Sequence, residues 1–279
     1  MPEQIPVALR VSVDAAEAEA IIVRFLKDYA SDAGRPRFVV GVSGGLDSAV
    51  AAALAVRAVG KEAVHGFILP EKATPPAEIR DAQAVANWLG VAHSTYELDG
   101  LIGAFHGANR IDDRAIVGNT KARIRMTLLH AEAAKREALV LGTGNKSEAL
   151  TGYFSKYGDG GVDVQPIGDL YKTQVRALAK HLGVPSAIIT KPPTAGLWDR
   201  QTDEAELGIA YDLLDRILLG LELKFPLDRI AKVVGVAEKE VARIEAMRRA
   251  SQHKRRMPMA PKIGLRTVGL DWRTPTAER

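Results

Sequence analysis

The chain has 279 residues, 47% of them apolar and 26% charged, the make-up of a globular protein with its own core rather than of a disordered or low-complexity chain. It contains no cysteine, which excludes disulfides, thiolate zinc sites and every cysteine nucleophile. Lys and Arg number 38 against 34 Asp and Glu, a net charge of +4 with much of the excess between Arg248 and Lys262; this suits an enzyme handling phosphates but does not by itself indicate nucleic acid.

The apolar run from Ala49 to Val56 is far short of the ~20 residues a membrane span needs, and no charged-then-apolar leader opens the chain, so a cytoplasmic location is expected. Asp14 is placed to cap a helix carrying Ile21, Ile22, Phe25, Leu26 and Tyr29 on one side. Arg37 to Val42 reads as a buried strand. Ala49 to Val59, nearly all apolar and ended by Gly60, reads as a crossover helix packed on a sheet. A second strand (Ala63 to Leu69), a second helix (Pro75 to Leu89), a weaker third strand (Val91 to Leu98), a long helix (about Arg114 to Glu137) and a short strand (Ala138 to Leu141) continue the alternation. Such alternation implies a parallel sheet with right-handed crossovers.

The second half changes character. Tyr153 to Gly168 is rich in glycine and polar residues and reads as an ordered or ligand-gated loop. Helical patterns follow at Lys172–Leu182, Asp203–Leu219 and Glu238–Ala250, punctuated by Pro185, Pro192 and Pro193. No repeat and no long linker is visible, so one domain over 1–279 is expected, with an α/β core at about 37–170 and a helical extension at about 171–260.

The most informative local pattern is Ser43-Gly44-Gly45-Leu46-Asp47-Ser48 between the first strand and its helix. Two glycines allow a tight turn and close backbone approach to a ligand. The helix start adds free N–H groups and the positive end of its dipole, and the serines add hydroxyls, so the loop forms an anion cradle at the carboxyl edge of the sheet. It is neither a Walker loop, lacking the Lys-Ser/Thr ending, nor a dinucleotide fingerprint. Asp47 would repel a phosphate unless a cation lay between them, which magnesium on pyrophosphate oxygens supplies. The plainer alternative is a helix start with Asp47 as a first-turn acid.

Further segments carry charge at useful places. In Asn119-Thr120-Lys121-Ala122-Arg123-Ile124-Arg125, Lys121 and Arg125 share a helix face while Arg123 points elsewhere; a solvated basic face is the plain reading. Gly142-Thr143-Gly144-Asn145-Lys146-Ser147-Glu148 leads from the last strand into a helix, which puts Glu148 at a strand end adjacent to that of Asp47, where two carboxylates can share one hard cation; otherwise Glu148 is a helix-start acid. Lys172 opens a helix, a dipole-unfavourable place for a cation, which hints at a phosphate rather than an exposed surface lysine. Lys191 to Leu197 forms a rigid turn presenting the Thr194 hydroxyl, and His253-Lys254-Arg255-Arg256 is a basic cluster after the last helix.

SGGLDS after a strand resembles the phosphate loop of the N-type ATP pyrophosphatases. In order and approximate spacing, SGGLDS, NTKAR, GTGNKSE, KYGDGGVDVQP, KPPTAGLWD, QTDEAELG and HKR, from about Phe38 to Arg256, resemble the ammonia-dependent NAD synthetases of that superfamily. The resemblance implies an adenine nucleotide α-hydrolase-like fold, a twisted parallel sheet flanked by helices. It implies a ligase that uses ATP to amidate deamido-NAD with ammonia through an acyl-adenylate, giving NAD, AMP and pyrophosphate, the last step of NAD biosynthesis. Carried over residue by residue, Gly41, Val42, Ser43, Gly44, Gly45, Leu46, Asp47 and Ser48 hold the ATP phosphates, with Thr143, Lys172 and Thr194 also on ATP. Asp47 and Glu148 bind magnesium, and Arg123, Lys156, Asp163, His253 and Lys254 contact deamido-NAD. Asp47 and Lys172 carry the catalytic electrostatics, and Asp163 is the candidate base. The family is a homodimer with substrate sites between subunits. Many members have glutamine where Leu46 stands, which leaves the backbone cradle unchanged, and a Thr-Asp-His run where Thr143-Gly144-Asn145 stands, so their Asp-His pair has no counterpart here.

With no cysteine for glutamine hydrolysis and no room for an amidase domain, free or partner-supplied ammonia is the expected nitrogen source. Two other readings compete. A tRNA-modifying member of the superfamily is mildly favoured by the basic stretch but not by the missing cysteines; AMP formation stimulated by tRNA would reveal it. A non-catalytic nucleotide-binding module would keep the cradle without needing Asp47, Glu148 and Lys172 together, and would bind ATP without releasing pyrophosphate.

Overall fold

The computed structural model describes residues 9–111, 113–198, 201–256, 258–265 and 267; Asp199 of the KPPTAGLWD segment and Met257 of the basic stretch lie outside the described residues. In chain order the elements are α1 (Ala15–Asp32), β1 (Arg37–Gly41), α2 (Leu46–Val59), β2 (Val64–Ile68), α3 (Pro76–Leu89), β3 (Ala92–Thr95), α4 (Asp99–Asn109), α5 (Arg114–Arg136), β4 (Ala138–Leu141), α6 (Lys146–Thr151), α7 (Lys172–Leu182), α8 (Ser186–Thr190), α9 (Asp203–Leu207), α10 (Tyr211–Glu222), α11 (Leu227–Val234) and α12 (Glu238–Ala250).

The four strands form one parallel sheet in the order β3-β2-β1-β4. In β1 the side chains alternate between two cores. Phe38 and Val40 join Leu26, Leu54, Val175 and Leu178 of α1, α2 and α7, whereas Val39 joins Met126, Leu129 and Ala133 of α5. Each fully buried side chain of this kind contributes roughly 1.5–3 kcal/mol. A one-residue slip would exchange the two faces, so the register is strongly specified. A third cluster, built on Leu214, Ile217, Ile230, Val241 and Ile244, holds α10, α11 and α12 together.

Asp14 caps α1 as expected, its Oδ1 accepting from the Ala16 and Glu17 N–H groups at 3.0 Å each. Only Ile22 and Leu26 of the expected apolar side are buried; Ile21 and Phe25, one position earlier in each turn, stay exposed. The expected helix from Asp203 to Leu219 is two helices: Gly208 adopts φ +70° and stops α9, and Ala210 starts α10 afresh. The stretch from Tyr153 to Gly168 is ordered and extends the sheet edge, with Val164 bridging Leu141 and the Gly142 N–H donating to the Val164 carbonyl at 2.7 Å.

Candidate active site

The phosphate-cradle segment folds as its glycines demand. After β1 the Val42 N–H donates to the Phe67 carbonyl at 2.8 Å, which keeps the turn fastened to β2. Gly44 has φ +75°, and a Cβ there would lie 2.7 Å from the Ala82 backbone nitrogen of α3. Glycine is therefore required both for conformation and for space. The Ser43 and Ser48 hydroxyls lie 3.1 Å apart, the Gly45 N–H donates to Ser43 Oγ at 3.2 Å, and Ser48 Oγ donates to the Gly45 carbonyl at 3.0 Å. The serines thus brace the loop, and α2, starting at Leu46, directs its unpaired first-turn N–H groups outward.

Glu148 sits in the first turn of α6, and both readings of it hold at once. Asn145 Oδ1 accepts from the Glu148 N–H at 3.0 Å while Glu148 Oε2 accepts from the Asn145 N–H at 3.2 Å, a reciprocal capping box. Its other oxygen, Oε1, faces Lys172 Nζ at 3.6 Å. Lys172 Nζ lies 2.5 Å from Asp47 Oδ2, and Asn145 Nδ2 donates to the same oxygen at 3.3 Å. The ends of β1 and β4 are adjacent, so Asp47 and Glu148 do converge on one cation, and in this structure that cation is the ammonium of Lys172.

The Lys172 side chain is 4% exposed, and Asp47 and Glu148 are each 15% exposed. Burial pulls the Lys172 pKa down, but Asp47 and Glu148 more than reverse this, so the ammonium is held above its ordinary value. Burial, reinforced by the neighbouring Asp47 charge, pushes the Glu148 carboxyl well above the ordinary glutamate range despite Lys172. Asp203 of α9 is also buried, which raises its pKa; its Oδ2 accepts from Tyr211 Oη at 3.1 Å, and the Tyr211 ring lies 5.3 Å from Lys172 Nζ. Asp47 Oδ1 and Asp203 Oδ1 are buried without a partner. Buried carboxylate oxygens left open beside a cavity are acceptors awaiting a cation or a donor. Asp203 and Tyr211 were not singled out from the sequence. QTDEAELG is visibly acidic, but only the packing of α9 against α10 brings its first acid to the lysine.

Asp47, Glu148, Lys172 and Asp203 line a cavity of about 460 Å³ at the carboxyl ends of β1, β2 and β4. Of the residues expected on ATP, Gly41, Val42, Ser43, Gly45, Leu46, Asp47, Ser48, Thr143, Lys172 and Thr194 line it, while Gly44 packs against α3 instead. The expected face of α5 is not solvated: Lys121 and Arg125 lie 2.6 and 3.6 Å from the carboxylate of Glu71, and Lys121 Nζ also donates to the Leu197 carbonyl at 3.2 Å, tethering the turn that carries Thr194. Glu71, silent in the sequence, is the hub of this group.

Of the residues expected on the dinucleotide, only Lys254 reaches the cavity wall, its Nζ donating to the carbonyls of Gly152 and Phe154 at 2.8 and 3.0 Å. Arg123 is exposed, donating from Nε to the Lys156 carbonyl at 3.1 Å, and Lys156 Nζ lies over the exposed Tyr157 ring. Asp163 is exposed at the edge of β4, its Oδ2 accepting from the Val140 N–H at 2.7 Å, and His253 is exposed beyond α12. Among the described residues no group of three or more His, Cys, Asp or Glu is arranged to hold a metal. Two carboxylates completed by phosphate oxygens would nevertheless suit magnesium.

The family model for NAD synthase matches residues 19–258. An NH(3)-dependent NAD(+) synthetase of Methanosarcina mazei is 44% identical over 90% of this chain and its own full length. One from Sulfurisphaera tokodaii is 41% identical over 99% of this chain and 98% of its own. Among solved structures, an NMN synthetase from Francisella tularensis superposes with a TM-score of 0.80 at 34% identity, covering 90% of this chain and all of that one. An NH3-dependent NAD synthetase from Campylobacter jejuni gives 0.76 at 29% identity with the same coverage.

Proposed function

The chain belongs to the NAD synthase family, and from that membership we propose how its cavity performs the family's reaction. The reaction is the ATP-dependent amidation of deamido-NAD by ammonia, and the enzyme is a ligase of NAD biosynthesis that consumes ATP as co-substrate. The observation that carries our assignment of residues is the placement of Lys172 Nζ between Asp47 and Glu148 at the mouth of the glycine cradle.

In this reading the cradle from Gly41 to Ser48 and the first turn of α2 bind the triphosphate through backbone N–H groups and the helix dipole. Thr143 and Thr194 bind the nucleotide from the two sides of the cavity. An oxygen of the pyridine carboxylate attacks the α-phosphorus, the bond to the β-phosphate oxygen breaks, and pyrophosphate leaves. The Lys172 ammonium neutralises the charge that builds on the departing group, a preorganised contribution that needs no reorganisation of solvent. Ammonia then attacks the acyl carbon and AMP departs. The proton released passes to solvent; Asp163, the candidate base carried over from the resemblance, is exposed off the cavity wall with Oδ2 accepting from the Val140 N–H, so no step is assigned to it. Asp47 and Glu148 would hold magnesium, and the open Asp47 Oδ1 fits that purpose. The metal, when bound, supplies Lewis-acid charge neutralisation on the phosphates.

Arg123, Lys156, Asp163, His253 and Lys254 are assigned to the dinucleotide. Four of these five lie off the cavity wall; the homodimer is carried over from the family resemblance, and in it a second subunit would close the acceptor side. The α/β core and the helical extension act as one unit, because Asp47 comes from the first and Lys172 and Lys254 from the second. Among the described residues no helix is long and apolar enough to cross a membrane, and nucleotide substrates of this kind support a cytoplasmic location. The purified protein with ATP, magnesium, ammonium and deamido-NAD should release NAD and pyrophosphate in equal amounts; pyrophosphate release that ignores deamido-NAD would refute the reading. The likeness to the Francisella NMN synthetase favours a second acceptor, the mononucleotide acid, and the same assay run with both acceptors ranks them by kcat/KM.

A further inference from the structure

A fully buried carboxylate lies beside the site without entering the reaction. Asp215 of α10 is completely buried and does not line the cavity. Its Oδ1 accepts from Ser147 Oγ at 2.5 Å, and its Oδ2 accepts from the Thr173 N–H at 2.9 Å and from Thr173 Oγ1 at 2.8 Å. Ser147 Oγ in turn accepts from the Lys172 N–H at 2.9 Å. Ser147 precedes Glu148 on α6, and Thr173 follows Lys172 on α7. One carboxylate thus reaches the residue next to each of two charged groups of the site.

We propose that Asp215 is a positioning residue for the ATP chemistry, tying the N-termini of α6 and α7 together so that Glu148 and Lys172 keep their separation. The inference rests on the reading above, in which those two side chains act on the triphosphate. Three features support it. Tyr171 caps α7 without a side-chain acceptor of the usual kind, so its first N–H groups depend on Ser147 and Asp215 for partners. A carboxylate suits that place because the helix dipole is positive there. No salt bridge to Asp215 forms among the described residues; hydrogen bonds, with the charge of Arg176 at longer range, offset its burial. An apolar side chain of similar volume would fill the space between these helices at less cost in desolvation. What the carboxylate adds is direction: it accepts from two helices at once. Misplacement of a reacting group by about 1 Å can cost ~10²-fold in rate, so slack between α6 and α7 should appear in turnover.

The experiment compares Asp215→Asn, Asp215→Leu and Ile230→Ala with the wild type, measured well below each melting temperature. Ile230 lies against Gly220 on the far side of α10 and is fully buried, so its truncation loosens α10 without touching the clamp. Asparagine can still accept from the Thr173 N–H and can donate to Ser147 Oγ; leucine can do neither. The expected result is a kcat lowered tenfold or more in Asp215→Leu with the KM for deamido-NAD within twofold. Asp215→Asn should stay within threefold of the wild type, and Ile230→Ala should keep full kcat despite a lower melting temperature. Equal kcat losses in Asp215→Leu and Ile230→Ala, a wild-type kcat in Asp215→Leu, or a loss in Asp215→Asn as large as in leucine would each overturn the proposal. Should Asp215→Leu not fold, Ser147→Ala combined with Thr173→Val removes the hydroxyl arms instead. A fivefold or greater fall in kcat is expected there, and less than a twofold fall overturns the proposal. Lys172→Met is run alongside: wild-type turnover in that variant would remove the reading of the site itself, independently of Asp215.

Discussion

Replacing Lys172 by methionine isolates the electrostatics of the cavity, because methionine matches the length of the lysine stem and removes only the charge. The lysine contacts two carboxylates at 2.5 and 3.6 Å with its own side chain 4% exposed. Removing one partner of a buried ion pair costs about 3–5 kcal/mol. Asp47 and Glu148 keep some exposure and can regain water, so the lower end, about 3 kcal/mol, is expected near neutral pH. For a chain of this size that is a fall in melting temperature of roughly 6–12 °C. The sign with pH follows from Glu148. Its folded pKa is raised, so between the ordinary value and the folded one the native state binds more protons than the unfolded state. Stability therefore falls as pH rises through that window. Lys172 opposes this rise in the wild type, so its loss adds a Glu148 penalty that grows as pH rises through that window, on top of the lost contact to Asp47. Thermal unfolding of both proteins at about pH 5 and about pH 8 checks this, with the difference in melting temperature expected to be larger at the higher pH. Millimolar magnesium without nucleotide should recover part of the loss in the variant and do little to the wild type, whose carboxylates already have a cation. Equal deficits at both pH values, with no response to magnesium, would refute the reasoning.

Three further outcomes are expected. Asp47→Asn should fold normally yet lose ~10²-fold or more in pyrophosphate release; near-normal turnover at saturating magnesium would remove Asp47 from the site. Gly44→Ala places a Cβ 2.7 Å from backbone of α3 at φ +75°, and the left-handed conformation alone costs about 1–2 kcal/mol, so urea unfolding should show a loss above that figure together with weaker ATP binding. His253→Ala combined with Lys254→Ala should raise the KM for deamido-NAD more than that for ATP; Lys254→Ala alone should also loosen Gly152 to Phe154, seen as faster amide exchange there, whereas His253→Ala alone should not.

Much of the fold was legible because local and global signals agree. α7, α12 and β4 begin and end at the residues read from the sequence, with Gly183 closing α7 and Gly142 closing β4. α4 carries no clear helical signal because Gly100, Gly103 and Gly107 oppose a helix at about 1 kcal/mol each. α8 and α11 are short and sit beside prolines that read as punctuation. The site was legible where chemistry is contiguous, in the cradle and the acid of GTGNKSE. It was not where several elements converge. Lys172 reads as a surface lysine or a phosphate ligand; its burial between two acids rules out the first, and no local signal announces those acids. Asp203, Glu71 and Asp215 acquire meaning only from helices that pack across long stretches of chain, which no local spacing encodes.

The division of the cavity between early and late parts of the chain has a consequence for synthesis. The glycine turn is complete once β1 and the start of α2 are made, but Lys172, Thr194 and Lys254 arrive much later. A domain folds as a unit during synthesis. A growing polypeptide therefore has no complete anion pocket while the later helices are unmade, and the capacity to grip a nucleotide matures only after they have emerged.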